Sequence, residues 1–477
     1  MKKLLVILAV VVAIAVGAYY FFFAKSDVCK NVIPGDAKAV MTFSGTELVK
    51  QLDFSISDIF ELLKLKGDDD KEDVGVDLLS PMYGFVSNDN YVCGVFALND
   101  AKKFEEAINK QNHTVESQRG FKWVYENDVL ACFDSDKALM MGPISKAESD
   151  GVRTKVVEWM KQGSHEIPML SSLEDMKGVL RLRTNLGALP DKYKSQFNLL
   201  DKDVDLSKVF FNVAFNVKEK AFVISSETES EDGAYTKLTS DMSGYNRPIQ
   251  GGQLQMPYEK PLALAVFNFD GETLCKKLGS MNPYYGMLLG QLNMFCNAGM
   301  MLEAIDGNVT VAIDDITEDS PRFYLTAQVK NKDFMNGAEN WGDGLATLGM
   351  LCQRVEGNNY LLQTKENKVY LGVRDDMLYF ASDYDVAKAG GRFSSLKDGS
   401  TLKSQAEGKL FFLSIDIDKL KESPLAKSSL ASKGESAKEV LNYLDRLNIS
   451  MGQNKSAQLE VTTKQKISDI IKMNLKK

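Results

Sequence analysis

The chain has 477 residues, of which 44% are hydrophobic, 9% aromatic and 26% charged, with 11 Pro and 35 Gly. These proportions exclude a disordered chain, a collagen-like fibre, a low-complexity linker and a multi-span membrane protein, and leave room for two to four domains at roughly 150 residues each. The net charge of −8 argues against non-specific nucleic-acid binding, which needs a clustered basic surface, so no nucleic-acid partner is expected.

In chain order, Lys2 and Lys3 precede residues 4–24, 21 positions without a charge. As a helix this run extends about 31 Å at ~1.5 Å per residue, long enough to cross a hydrocarbon core. Tyr19, Tyr20, Phe21, Phe22 and Phe23 favour the far interface, and Lys25 and Asp27 close the run. Residues 1–25 are therefore expected to be a signal anchor: a transmembrane helix with its N-terminus in the cytoplasm and everything after about Ser26 exported to the cell envelope. A cleaved signal peptide and lipid attachment at Cys29 are the alternatives. The apolar region of a signal peptide is usually only about 7–15 residues, and Ser26-Asp27-Val28 is a poor lipidation box. The exported part carries 54 basic against 65 acidic groups, a balance of −11 that repels it from an anionic bilayer surface.

The six cysteines, Cys29, Cys93, Cys132, Cys275, Cys296 and Cys352, include no CxxC pair, so neither a zinc ribbon nor a thioredoxin motif is present. Cys93 and Cys132 lie in strand-like runs, where a free thiol packs as a small apolar side chain.

The run from Phe43 to Leu52 has a partner 226 residues later, from Phe269 to Leu278; Phe, Gly, Leu, Lys and Leu coincide in register. A β run precedes each, Ala39–Phe43 and Leu262–Phe269, and Ser44 and Asp270 are placed to cap the following helices. Phe85-Val86 and Tyr91–Leu98 form a strand pair, followed by a helix with Phe104, Ala107 and Ile108 on one face. Val309–Ile313 and Phe323–Val329, followed by Phe334, repeat the arrangement. Val129–Met140 aligns without a gap on Val369–Phe380, placing Asp136 on Asp376 at a hairpin turn. Val179–Arg183 and Leu410–Ile417 supply one further strand each, and Phe211–Phe215 and Ala457–Val461 are strand candidates near the ends. The expected fold class is α+β: an N-terminal transmembrane helix, then two tandem copies of an antiparallel sheet with helices on one face, at 32–230 and 258–477, with 231–257 as a linker or connecting loop.

The run Asn31-Val32-Ile33-Pro34-Gly35-Asp36-Ala37-Lys38-Ala39-Val40-Met41, followed by a strand and the helix Leu48-Val49-Lys50-Gln51-Leu52, resembles the opening IPxDAxAV of an uncharacterised family of cell-envelope lipoproteins from Bacteroidota. The resemblance covers about 20 residues closely and the rest through the repeated architecture. It implies an envelope location, and it brings no known activity and no catalytic residues. Members of that family carry a lipid-attachment cysteine, where this chain has a long apolar run.

Chemistry-bearing motifs are scarce. His113 and His165 are the only histidines, and GxSxG, HExxH and GxxxxGK[ST] are absent. Ser400-Thr401-Leu402-Lys403 matches SxxK without its companion motifs, and reads as a surface turn. Asp201, Asp203 and Asp205 open a calcium-loop spacing that fails at Leu206 and Asn212, where Gly and Glu are required. No catalytic, cofactor or metal residue is assigned, and no cofactor is expected. The most unusual stretch is 280–305, rich in Met. Tyr284, Tyr285, Met287, Met294 and Phe295 are candidates for an apolar ligand or partner groove, against the competing reading of a core-packed helix pair. The expected function is a non-enzymatic, membrane-anchored envelope protein whose duplicated ectodomain binds an envelope protein or lipid. A lipid or small-ligand carrier using helices 280–305 is the alternative. A carboxylate-dependent hydrolase, which needs two acids about 5–9 Å apart in a cleft, is the second.

Overall fold

The computed structural model describes residues 28–53, 75–77, 80–111, 113–189, 204–251, 254, 258, 260–281, 283–316, 321–365, 367–389, 401–424, 427, 434–453 and 456–475. Residues 4–24, expected to cross a membrane, lie outside them. Among the described residues no helix is long and apolar enough to do so.

Strand pairing corrects the expected fold class. Among the described residues, 21 strands belong to one antiparallel sheet carrying short helices, where two separate α+β sheets behind a transmembrane helix were expected. Hydrophobic periodicity shows which residues form a strand; it carries no information on where a sheet ends, because an edge strand and an inner strand alternate alike.

The chain divides into two compact units: 1–236 with 465–477, and 237–464. The first contains β1 (Ala39–Phe43), β2 (Met82–Val86), β3 (Val92–Ala97), β4 (Glu116–Gln118), β5 (Phe121–Glu126), β6 (Val129–Phe133), β7 (Lys137–Gly142), β8 (Leu180–Asn185), β9 (Val209–Lys218) and β10 (Ala221–Ser230). Their order is β4-β5-β6-β7-β3-β2-β1-β8-β9-β10, antiparallel throughout. The second contains β11 (Asn246–Arg247), β12 (Ala263–Asp270), β13 (Ile305–Ile316), β14 (Pro321–Val329), β15 (Leu351–Glu356), β16 (Asn359–Gln363), β17 (Lys368–Arg374), β18 (Met377–Ala381), β19 (Phe411–Asp416), β20 (Leu444–Met451) and β21 (Ser456–Thr463). Here the order is β15-β16-β17-β18-β14-β13-β12-β19-β20-β21, the same sequence of positions as in the first unit, with β11 added beside β12. Residues 231–257 contain β11 and the helix Gly233–Ser243.

Local chemistry sets the element ends. Ser44 Oγ accepts the Glu47 N–H at 3.4 Å, and Asp270 Oδ1 accepts the Thr273 N–H at 3.1 Å, so each satisfies an orphan donor of the helix that follows. Asn127 and Asp128 both adopt positive φ, 49° and 61°, in the two-residue turn joining β5 to β6. Such turns match the right-handed twist of the flanking strands.

One face of the first unit's sheet, with Val40, Tyr83, Val95, Leu130 and Leu139, packs on Val156 and Trp159 of the helix Ser149–Lys161 and on Leu170 and Leu173 of the helix Pro168–Glu174. Other sheet residues join two smaller clusters. Val76, Phe96, Leu98, Val124, Phe133 and Ala138 gather around Phe104; Phe43, Leu48, Leu52, Val179, Val217 and Ile467 form the second, and Met82 packs against both.

Candidate functional site

The two ring nitrogens of His165 lie 3.0 Å and 2.9 Å from the Gly163 and Ile33 carbonyl oxygens, and His113 lies 3.4 Å from the Glu126 carboxylate. Asp205 accepts the Ser207 hydroxyl and N–H, which lower its pKa. Asp201, Asp203 and Ser400 lie outside the described residues. Among the described residues, no group of three His, Cys, Asp or Glu is placed to hold a metal.

The carboxylates that carry shifted pKa values in ion networks are held ionised. Glu272 accepts from Lys276 at 2.6 Å and Lys330 at 2.5 Å, and these hydrogen bonds lower its pKa to about 2. The Thr273 N–H lowers that of Asp270, assisted by Arg247 at 2.8 Å. Hydrogen bonds from Lys421 and Lys464 do the same for Asp418. A general acid near neutrality needs the opposite displacement. Burial pushes the Cys93 thiol up to about 12 and Cys275 up to about 11, which keeps both protonated and poorly nucleophilic.

Two apolar surfaces among the described residues bear on function. The first is an open groove of about 780 Å³ on the first unit's sheet. Strand register lays Leu182, Met41, Gly84, Gly94, Met140 and Ala131 in one row across β8, β1, β2, β3, β7 and β6. The two glycines form its floor. A Cβ on Gly94 would meet nothing within 4 Å, whereas one on Gly84 would sit 3.0 Å from Met41 Cε. Val92 is 60% exposed and Met140 44%. Asn127 and Asp128 are the only lining residues with an amide or charged side chain among the described residues. The row of the second unit that begins at Phe267, the match of Met41 in the repeat, continues through Val309, Ala327 and Leu378 and packs in one core cluster with Met301, Phe334 and Trp341. Sequence reasoning missed the groove. Its available signal was two glycines in strand interiors, where a missing side chain often marks a close approach.

The second place holds the candidates from the sequence. Tyr284, Met287 and Met294 lie on the helix Pro283–Cys296 and are exposed, at 58%, 53% and 74%. The core-packed alternative therefore fails for these three. The side chains of Tyr285 and Phe295 lie outside the described set. The helix packs against its neighbours Gly271–Met281, Ala298–Ala304 and Trp341–Ala346.

A family model described as a domain of unknown function (DUF4836) matches residues 44–468. No curated protein matches the chain. Among solved structures, three crystal forms of TP0453 are similar over part of the chain. Form I has 9% identity and a TM-score of 0.28, covering 46% of this chain and 87% of that one. Form IV has 8% and 0.27, covering 41% and 79%. Form III has 7% and 0.20, covering 74% and 91%. Likenesses this low carry no functional argument.

Proposed function

We propose that this chain, which belongs to the DUF4836 family of unknown function, is a non-enzymatic binding protein of the cell envelope whose first unit takes an elongated apolar group, such as an acyl chain, in the groove floored by Gly84 and Gly94. The observation that carries this reading is the bare row Met41-Gly84-Gly94-Met140, open to solvent where the row of the second unit that begins at Phe267 packs in a core cluster. Each methylene moved out of water contributes about 0.8 kcal/mol, so a chain laid along the trough binds without any ionic contact. A volume of about 780 Å³ lies within the range of small-molecule sites. The ionised, cation-paired carboxylates give the hydrolase alternative no support. Export rests on Lys2, Lys3 and the charge-free residues 4–24, together with the resemblance to envelope lipoproteins.

The test is saturable binding of a fluorescent fatty acid, compared with Gly94→Phe, which fills the trough, and Met140→Asp, which charges its wall. Both variants are expected to weaken binding at least tenfold while keeping the native circular-dichroism spectrum; roughly 1.4 kcal/mol corresponds to each factor of ten. Unchanged affinity in both would refute the site. Recovery of the chain in the cytosolic fraction after cell disruption would refute the location.

A further inference from the structure

We propose that the helix Pro283–Cys296 of the second unit seats on the uncharged interfacial region of a lipid bilayer, lying along it without crossing. In a chain with 26% charged residues, positions 278–302 hold 25 consecutive residues with no Asp, Glu, Lys, Arg or His. A helix on a water-facing surface ordinarily turns charged residues outward. This one does the reverse. Tyr284, Met287, Gln291 and Met294, spaced i, i+3, i+7 and i+10, are all exposed, and so are Gly286 and Gly290. The spacing places the four on one stripe. Met300, on the helix that follows, is 38% exposed. Leu348, just beyond the adjoining helix Trp341–Ala346, is 52% exposed.

At 14 residues the helix is about 21 Å long, too short to span a hydrocarbon core of roughly 30 Å but long enough to lie in its interface. Charge decides the kind of surface. The stripe has no cation to meet anionic headgroups, and the chain's net charge of −8 is repelled by them, so the matching occupant is a neutral, zwitterionic lipid surface. Tyr284 suits such a boundary, because an aromatic ring with a polar tip favours the level of the headgroups. Unlike the groove, this surface needs no enclosed ligand, so either proposal can fail without the other.

The experiment uses the full chain and phosphatidylcholine vesicles. Met287→Trp places a reporter on the stripe, while the native Trp123, Trp159 and Trp341 are buried and form a constant background. Vesicles whose lipids carry brominated acyl chains are expected to quench the added emission and leave wild-type emission unchanged. Adding Met294→Asp to Met287→Trp is expected to lower the quenching at least tenfold, because charge is costly in the interface, and Met287→Asp with Met294→Asp serves as the double Asp variant for sedimentation. Raising salt to about 1 M should leave the quenching intact, since no ion pair is involved. Absence of quenching beyond wild type overturns the proposal. So does concentration-dependent self-association that the double Asp variant abolishes while quenching stays absent; that result would assign the stripe to a second copy of the chain.

Discussion

At the residue scale, glycines separate positions that must stay bare from positions that merely are. A Cβ on Gly271, the first residue of its helix, would lie 1.8 Å from the Leu302 carbonyl oxygen. The clash is with backbone, which cannot rotate away, so Gly271→Ala is expected to destabilise the second unit by about 1–3 kcal/mol, measured as a lowered urea midpoint. Gly94→Ala meets nothing within 4 Å and is expected to be neutral or stabilising by up to about 0.5 kcal/mol in the same assay. Gly271 stood out in the sequence because it matches Gly45 in the repeated segment. Gly94 did not, because emptiness above a strand depends on which neighbours the sheet brings alongside. Thiols were legible: Cys93 and Cys132 are buried and free, as their strand-like surroundings implied. Burial keeps Cys93 protonated up to about 12, so iodoacetamide is expected to label it only upon unfolding, with the half-buried Cys352 labelled first; mass spectrometry of timed samples gives the order.

At the element scale, the helix Gly271–Met281 is held at its start by charge. Asp270 caps it, Glu272 stands in its first turn, and Arg247, Lys276 and Lys330 surround both carboxylates. Both carboxyl pKa values are lowered in the folded state, so the unfolded chain takes up protons first as pH falls. The stabilisation from Glu272 is therefore complete above its ordinary value of 4.5 and lost progressively as pH drops toward about 2. Thermal melts across that window are expected to show a modest fall from this exposed network, absent in a variant carrying Lys276→Met and Lys330→Met; an unaltered profile would refute the assignment. Asp270→Ala removes the cap and is expected to cost about 1 kcal/mol at neutral pH. The caps Ser44 and Asp270 were readable because capping is a local bargain between a side chain and amides two or three residues on. For the helix Pro283–Cys296 the sequence left two readings open, an apolar groove or a core-packed pair, and Tyr284, Met287 and Met294 are exposed. Apolar spacing alone cannot tell a face turned inward from one awaiting a partner. The missing charges on the opposite arc were the better signal.

At the scale of the whole molecule, hairpins were legible and the sheet was not. Asp136 and Asp376 occupy matching turns, yet nothing in their neighbourhoods states that β7 pairs with β3, across the helix and three strands that separate them in the chain. Long-range pairing is fixed by side chains that meet only after folding. The C-terminal residues show the same effect. Residues 465–477 group with the first unit although the strands just before them belong to the second. Ile467 is 2% exposed, and its cluster contains Phe43, Leu48, Leu52, Val179 and Val217. The Ile467 N–H donates to the Glu219 carbonyl at 2.9 Å, and Lys466 pairs with Glu219 at 2.8 Å. The exposed ion pair contributes little; the buried isoleucine carries the attachment, with Ile467→Ala expected to cost about 2–5 kcal/mol. Deleting 465–477 then has a directional consequence. Hydrogen exchange is expected to accelerate in the helix Gly45–Leu52 and in β9, which lose their cover, while β12, β13 and β14 retain their protection. Loss of protection confined to the second unit would show that the C-terminal helix supports the strands it follows in sequence, against the packing seen for Ile467.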